Sequence, residues 1–212
     1  FWNFAETCAL FGARYPAAPL GLITVAALLP PDWNVRLVDR NTTVLETDDL
    51  AWADRVMTGG MLTQQRDTLD VIDLCHGRGT PVAVGGPAVT STPDVYASAD
   101  FRILGEAEGI IHEFIAAWHA GAKSGTFVTE KFTVDVTKSP IPRFELLNFD
   151  HYLQIGVQFS RGCPFTCEFC DIIELYGRVP RAKTNAQMLA ELDALYRLGY
   201  RGHVDFVDDN LI

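Results

Sequence analysis

No stretch of this chain approaches the ~20 uninterrupted apolar residues of a membrane-spanning helix. The longest apolar run, Leu20 to Pro30, is only long enough for a buried helix of a folded domain. No basic, then apolar, then small-residue leader is present, so no export signal is read. Basic residues are in short supply: 17 Lys and Arg stand against 27 Asp and Glu, a net charge of −10. That argues against nucleic acid as a partner, because phosphate binding needs clustered cations. Cysteines are few and odd in number, five in all, which does not fit a disulfide framework and suits a reducing cytoplasm. Internal repeats and low-complexity segments are absent, as are a phosphate loop and a nucleophile elbow. His112-Glu113 opens like the zinc-protease H-E-x-x-H, but Ala116 stands at the second histidine position. His112 and His119 read as solvated helix residues, and Cys75-His76 as a helix end.

What is there is ordinary globular composition. Hydrophobic residues make up 48% and charged residues 21% of 212, enough for one large domain or two small ones. The chain does not begin with Met and ends in the apolar run Asp205 to Ile212, so it is expected to be a piece of a longer protein.

The patterning predicts an α/β protein. Residues 1–17 are aromatic-rich and irregular, and Pro19 introduces a helix over Leu20–Leu29. Trp33–Asp39 alternates like a strand. Residues 40–53 read as a loop with a helical turn. Buried strands are expected at Arg55–Thr58, Pro81–Val84 and Phe101–Leu104, with helices over residues 62–76, 93–97 and 107–120 between and after them. Repeated strand–helix alternation means a doubly wound parallel sheet covered by helices on both faces. In such sheets ligands sit at the carboxyl ends of the strands. Three strand ends carry Thr58-Gly59-Gly60, Gly85-Gly86-Pro87 and Gly105-Glu106. Glycine there lets a bulky ligand approach the backbone, and it also suits an ordinary tight turn. Gly125–Val128 and Phe132–Val136 read as a small hairpin, followed by the stiff connector Ser139–Arg143. Leu153–Phe159 is a new strand, Thr184 caps a helix over residues 184–198 with Leu189, Leu192, Leu195 and Leu198 as its stripe, and His203–Val207 is the next strand.

The stretch Ser160-Arg161-Gly162-Cys163-Pro164-Phe165-Thr166-Cys167-Glu168-Phe169-Cys170 holds three cysteines spaced C-x3-C-x2-C. As a helical stripe it is opposed by Gly162 and Pro164. As a structural zinc site it lacks a second C-x2-C, and Cys8, Cys75, His151 and His203 sit at no recognised spacing for a fourth ligand. Three thiolates suit an iron–sulfur cluster, and four irons on three cysteines leave one iron open to a small molecule. Downstream, Tyr176-Gly177-Arg178 and Arg181-Ala182-Lys183 could meet a cofactor carboxylate or phosphate, or form a solvated basic loop.

This cysteine motif at the end of a strand resembles the radical S-adenosylmethionine (SAM) superfamily. The resemblance implies that Cys163, Cys167 and Cys170 ligate a [4Fe–4S] cluster, that SAM chelates the fourth iron, and that Phe169 lies near the adenine. Reductive cleavage of SAM then yields a radical that takes hydrogen from a substrate, the protein supplying position and shelter from water. Asp208-Asp209-Asn210 falls where the family places a motif for the SAM amino group, usually Gly-Gly-Glu. Together with Pro19-Leu20-Gly21-Leu22, Gly105-Glu106-Ala107-Glu108 and the Pro140-Ile141-Pro142 connector, the chain is similar to the subgroup with a cobalamin-binding Rossmann-like domain. Hopanoid methylases and the anaerobic magnesium-protoporphyrin cyclase belong to it.

The resemblance implies three parts. Residues 1–125 would be a cobalamin-binding Rossmann-like domain whose first strand lies upstream, with Thr58, Gly59, Gly60, Gly85, Gly86, Pro87, Gly105 and Glu106 facing the corrin. Residues 126–150 would be a linker. Residues 151–212 would be the first βαβ of a (β/α) radical SAM barrel, which needs on the order of 200 residues to close. The Asp-x-His-x-x-Gly motif that gives cobalt a histidine does not occur, and no histidine precedes His76. The implied activity is cobalamin-dependent methylation of an unactivated carbon of a small molecule, such as a lipid or tetrapyrrole. Flavodoxin or ferredoxin is the implied electron donor. Radical SAM chemistry without cobalamin and a non-catalytic metal- or corrinoid-sensing module are the alternatives.

Overall fold

The computed structural model describes residues 4–210; Leu211-Ile212 of the terminal apolar run lie outside them. Along the chain come α1 (Ala5–Leu10), β1 (Tyr15–Ala17), α2 (Leu20–Leu28), α3 (Thr47–Trp52), β2 (Val56–Gly59) and α4 (Gln65–His76). Then come β3 (Val82–Gly85), α5 (Pro87–Ser91), β4 (Phe101–Leu104), α6 (Ile111–His119) and β5 (Gly125–Val128). The last group is β6 (Tyr152–Val157), β7 (Ser160–Arg161), α7 (Ile172–Leu175), β8 (Arg181–Ala182), α8 (Asn185–Arg197) and β9 (His203–Phe206). No helix among the described residues is long and apolar enough to cross a membrane.

The chain divides into two compact units, one of residues 45–134 and 174–176, the other of residues 4–44, 135–173 and 177–210. In the first, β2, β3, β4 and β5 form a parallel sheet in sequential order. Its strands alternate between two covered faces. Val56, Val82, Val84 and Leu104 pack with Leu50, Val71, Ile72, Cys75, Val89 and Tyr96, which brings α3, α4 and α5 against one face. On the other, Phe101 meets Phe114 and Trp118 of α6 edge-on, and Phe114 meets Phe127 of β5. The parallel, two-faced α/β layout expected from the sequence is therefore present. The sequential strand order contains no reversal, so the switch point of a doubly wound sheet is not found among the described strands.

Gly125–Val128 is the fourth strand of this sheet rather than one arm of a hairpin, and it lies where the linker was expected to begin. Residues 132–136 are not a strand: Phe132 takes φ 67°, which a β ladder cannot accommodate.

The second unit is built on a parallel sheet of order β1-β6-β9. Tyr15 aligns with Tyr152, and Gln154 through Val157 align with His203 through Phe206. The β6–α8–β9 unit expected from the sequence is present; a closed barrel is not formed within the described residues. Ile23 of α2, Phe144, Leu147, Ile155, Val157, Met188 and Leu195 form its core. Two sequence expectations change here. Residues 4–44 pack with this unit, because Tyr15–Ala17 is a strand beside β6 and α2 supplies Ile23. Trp33–Asp39 joins no sheet and forms no helix. It is held at its end, where buried Asp39 accepts the Tyr152 hydroxyl at 2.8 Å and the Asn41 amide at 3.0 Å.

In α8 the buried stripe is Met188, Glu191 and Leu195, while Leu189 is 63% exposed. The expected all-leucine face is rotated because Glu191 points inward, and Thr184 caps the helix by accepting the Gln187 amide.

Candidate metal and cofactor site

The cysteine loop begins where β6 runs out. Val207 N–H donates to Val157 O at 2.9 Å, keeping the end of β9 beside β6. The chain then leaves the sheet, and its backbone donors need new acceptors. Asp208 supplies them. Its Oδ2 accepts the Phe159 amide at 3.1 Å, and its Oδ1 accepts the Ser160 amide and, at 2.6 Å, the Ser160 hydroxyl. Asp209 Oδ2 accepts the Gly162 amide at 2.7 Å. Gly162 has φ 98°, a conformation that side chains strain.

On its other side the loop base is an antiparallel ribbon of β7 and β8, with Ser160 opposite Ala182 and Arg161 opposite Arg181. Lys183 N–H continues it by donating to Phe159 O at 2.8 Å. The Cys163 amide donates to Gly177 O at 3.1 Å, drawing the two ends of the loop together.

The three loop cysteines are free thiols; Cys163 and Cys170 are half-buried and Cys167 is exposed, whereas Cys8 and Cys75 are buried. Reactive donor chemistry is thus concentrated on one solvent-reachable loop. Among the described residues no three His, Cys, Asp or Glu side chains are gathered to hold a single metal ion. The sulfurs share a loop without forming a compact ligand set. Phe169 is 93% exposed, open to a flat ligand.

The expected basic patch resolves differently at Lys183. It is buried, not solvated: Lys183 Nζ lies 2.5 Å from Glu191 Oε1, with side chains 6% and 1% exposed. Glu191 Oε2 is buried without a hydrogen-bond partner. Burial holds the Glu191 carboxyl above its ordinary range, opposed by Lys183 and then Arg161. Burial likewise pushes Asp209 up, opposed by the Gly162 amide and reinforced by Asp208.

In the other unit the three strand-end segments come together. Ala88 N–H donates to Gly60 O at 3.3 Å, Thr90 Oγ1 donates to Gly86 O at 2.9 Å, and the Gly105 amide donates to Thr90 Oγ1 at 2.9 Å. Thr129 Oγ1 donates to the carbonyl of buried Glu106 at 2.7 Å. The glycines have local reasons. A Cβ on Gly59 would lie 2.2 Å from Gly85 O, and Gly86 and Gly105 take φ 92° and 85°. Thr58 lies beside Val84 in the sheet, and Pro87 starts α5. Sequence reasoning missed Thr90, Thr129 and Glu191, and it placed Ser160 in the cysteine stretch without its bond to Asp208. Only Glu191 left a signal, its position three after Met188 and four before Leu195.

No family model matches the chain. An uncharacterized methyltransferase of Synechocystis is 48% identical across the whole chain, which spans 40% of that protein. The hopanoid C-2 methylase of Rhodopseudomonas palustris is 43% identical over 92% of the chain and 37% of its own length. The bacteriochlorophyllide d C-12(1)-methyltransferase of Chlorobaculum tepidum is 26% identical over 98% of the chain and 47% of its own length. The chain thus spans about two fifths of the length of the first relatives it matches.

Proposed function

We propose that this chain, 48% identical to a methyltransferase of Synechocystis and 43% identical to the hopanoid C-2 methylase, is part of a radical SAM enzyme that methylates an unactivated carbon with the help of cobalamin. The observation that carries this is the loop of three free, solvent-reachable cysteines on a fastened base. Cys163, Cys167 and Cys170 would hold a [4Fe–4S] cluster, three soft thiolates leaving one iron for SAM. Bound there, cluster and SAM supply a radical able to take hydrogen from carbon, and cobalamin supplies the methyl group.

The chain's own residues orient and shelter. Phe169 offers an apolar face for the adenine. Asn210 and the oxygen of Asp209 that does not accept the Gly162 amide would meet the SAM ammonium, whereas Asp208 has both oxygens occupied by backbone and hydroxyl donors. In the other unit, the segments at Thr58–Gly60, Gly85–Pro87 and Gly105–Glu106 would border the corrin, with no histidine in them to reach cobalt. The substrate class, a lipid or tetrapyrrole, follows the names of the hopanoid and bacteriochlorophyllide relatives. Flavodoxin or ferredoxin would donate the electron, in the cytoplasm.

Anaerobic reconstitution of the chain with iron and sulfide tests the reading. The parent should gain iron, sulfide and visible cluster absorbance. A variant with Cys163, Cys167 and Cys170 all changed to Ala should gain none, and equal loading of the two refutes the assignment. A second reading keeps the radical chemistry without cobalamin. It is favoured by the absent Asp-x-His-x-x-Gly motif and by the local reasons for Gly59, Gly86 and Gly105. Titrating the whole chain with cobalamin separates the two.

A further inference from the structure

The end of β9 and the start of the cysteine loop lie some 50 positions apart in sequence yet share four hydrogen bonds. All four donors belong to Phe159, Ser160 and Gly162, the segment that carries the chain from β6 to Cys163. Three are backbone amides that the sheet no longer satisfies, and a carboxylate is the strongest acceptor a side chain can offer them. Ser160 is 5% exposed, so water does not substitute there. The opposite edge of the same segment is engaged by the β7–β8 ribbon and by Lys183 N–H on Phe159 O. The residues before the first cysteine are therefore held on both sides, by β9's end on one and by β8 on the other.

We propose that Asp208 and Asp209 are positioning residues of the cysteine loop: their carboxylates grip the Phe159–Gly162 backbone and fix where Cys163 leaves the sheet. The role needs only the chain's own groups. Its bearing on cofactor chemistry rests on the cluster reading above.

Amide hydrogen exchange of the metal-free, reduced chain tests it. Asp208→Ala should speed exchange at Phe159 and Ser160, and Asp209→Ala at Gly162, by about tenfold or more, the scale of one lost charge-assisted bond. Ile155 and Val157 in β6, and Val82 and Val84 in β3, should keep their protection. Unchanged exchange at all three loop amides overturns the proposal, as does an equal acceleration across the whole of β6. Should Asp208→Ala fail to fold, Asp208→Asn decides. Its single carbonyl oxygen should keep one of the two amides protected and release the other; protection of both refutes the role.

A second arm reads the cluster. After anaerobic loading, Asp209→Ala, which leaves the Gly162 amide without its acceptor, should retain less iron than the parent and shift the electron paramagnetic signal of the reduced cluster. Tyr152→Phe, which loses a bond to Asp39 far from the loop in sequence, should leave both unchanged. An effect in both variants, or in neither, counts against positioning. Should the parent itself take up no cluster, the cluster reading fails and the exchange arm alone decides the positioning role.

Discussion

Replacing Lys183 by Met should reveal how much of the second unit depends on one buried ion pair. Lys183 and Glu191 are almost fully enclosed and 2.5 Å apart. Met is close to the lysine stem in length, so Lys183→Met removes the charge with little change in packing. It leaves Glu191 buried without its cation, with Oε2 already lacking a partner. Breaking such a pair from one side costs about 3–5 kcal/mol, because the remaining charge stays desolvated. In urea that loss lowers the unfolding midpoint by about 1–2 M.

The pH dependence has a definite sign. Burial raises the folded Glu191 carboxyl above its ordinary value of 4.5, and Lys183 is the main opposing influence. A carboxyl raised in the folded state contributes stability below its unfolded value, and that contribution is lost as pH climbs through the folded value. Without Lys183 the folded value rises further. The deficit of Lys183→Met should therefore be small near pH 4 and full near pH 8. The double variant Lys183→Met/Glu191→Leu should recover to within about 1–2 kcal/mol of the parent at both, since an apolar pair replaces a buried ionic one at little cost. Urea titrations followed by circular dichroism at the two pH values check this. A deficit below about 1 kcal/mol at pH 8, or one that does not grow with pH, would refute the reasoning. So would a double variant as unstable as the single one.

Two further outcomes follow from the packing. Gly59→Ala puts a Cβ 2.2 Å from the Gly85 carbonyl, so β2 and β3 must separate. The chain should lose about 1–3 kcal/mol in thermal unfolding; an unchanged midpoint contradicts the strand contact. Iodoacetamide at pH 8 should modify only Cys163, Cys167 and Cys170 in the native metal-free chain, and all five cysteines in denaturant, as counted by mass. Cys8 and Cys75 are 1% and 0% exposed, and burial pushes the Cys75 thiol up to about 11. Rapid native labelling of Cys75 would contradict the packing of α4 on β3.

The legible parts of the fold were those written in local periodicity. Phe101–Leu104 is a strand with the expected bounds, and Leu20–Leu28 is the expected helix less one residue. The strand-end glycines were legible because backbone conformation demands the residue itself: Gly86 and Gly105 take positive φ. Trp33–Asp39 shows the limit. It alternates like a strand and joins no sheet, because alternation records a half-buried chain and not a hydrogen-bonded neighbour. Tyr15–Ala17 shows the reverse, three residues too short to carry a period, made a strand by β6 alongside. Glu191 hid because a charged residue is read as solvent-facing unless its partner is known, and Lys183 lies before the helix.

The same distinction divides the candidate site. The cysteine spacing is local and could be read directly; what holds the loop is not local and could not. Asp208 and Asp209 were expected near a ligand from the resemblance alone, and their partners in the fold are the Phe159, Ser160 and Gly162 amides and the Ser160 hydroxyl, 47–49 residues earlier. The loop base further draws on β8, whose two residues carry no strand signal of their own. Pairing of β1 with β6 extends this to the boundary between units. A cut after residue 125, which the sequence pattern invites, would take Tyr15–Ala17 and Ile23 away from Tyr152, Ile155 and Val157. The core beneath the cysteine loop would lose an edge strand and a helix before any cofactor was tested. A cofactor assay on a dissected piece would then report the damaged core, so assignment of either cofactor belongs to experiments on the whole chain.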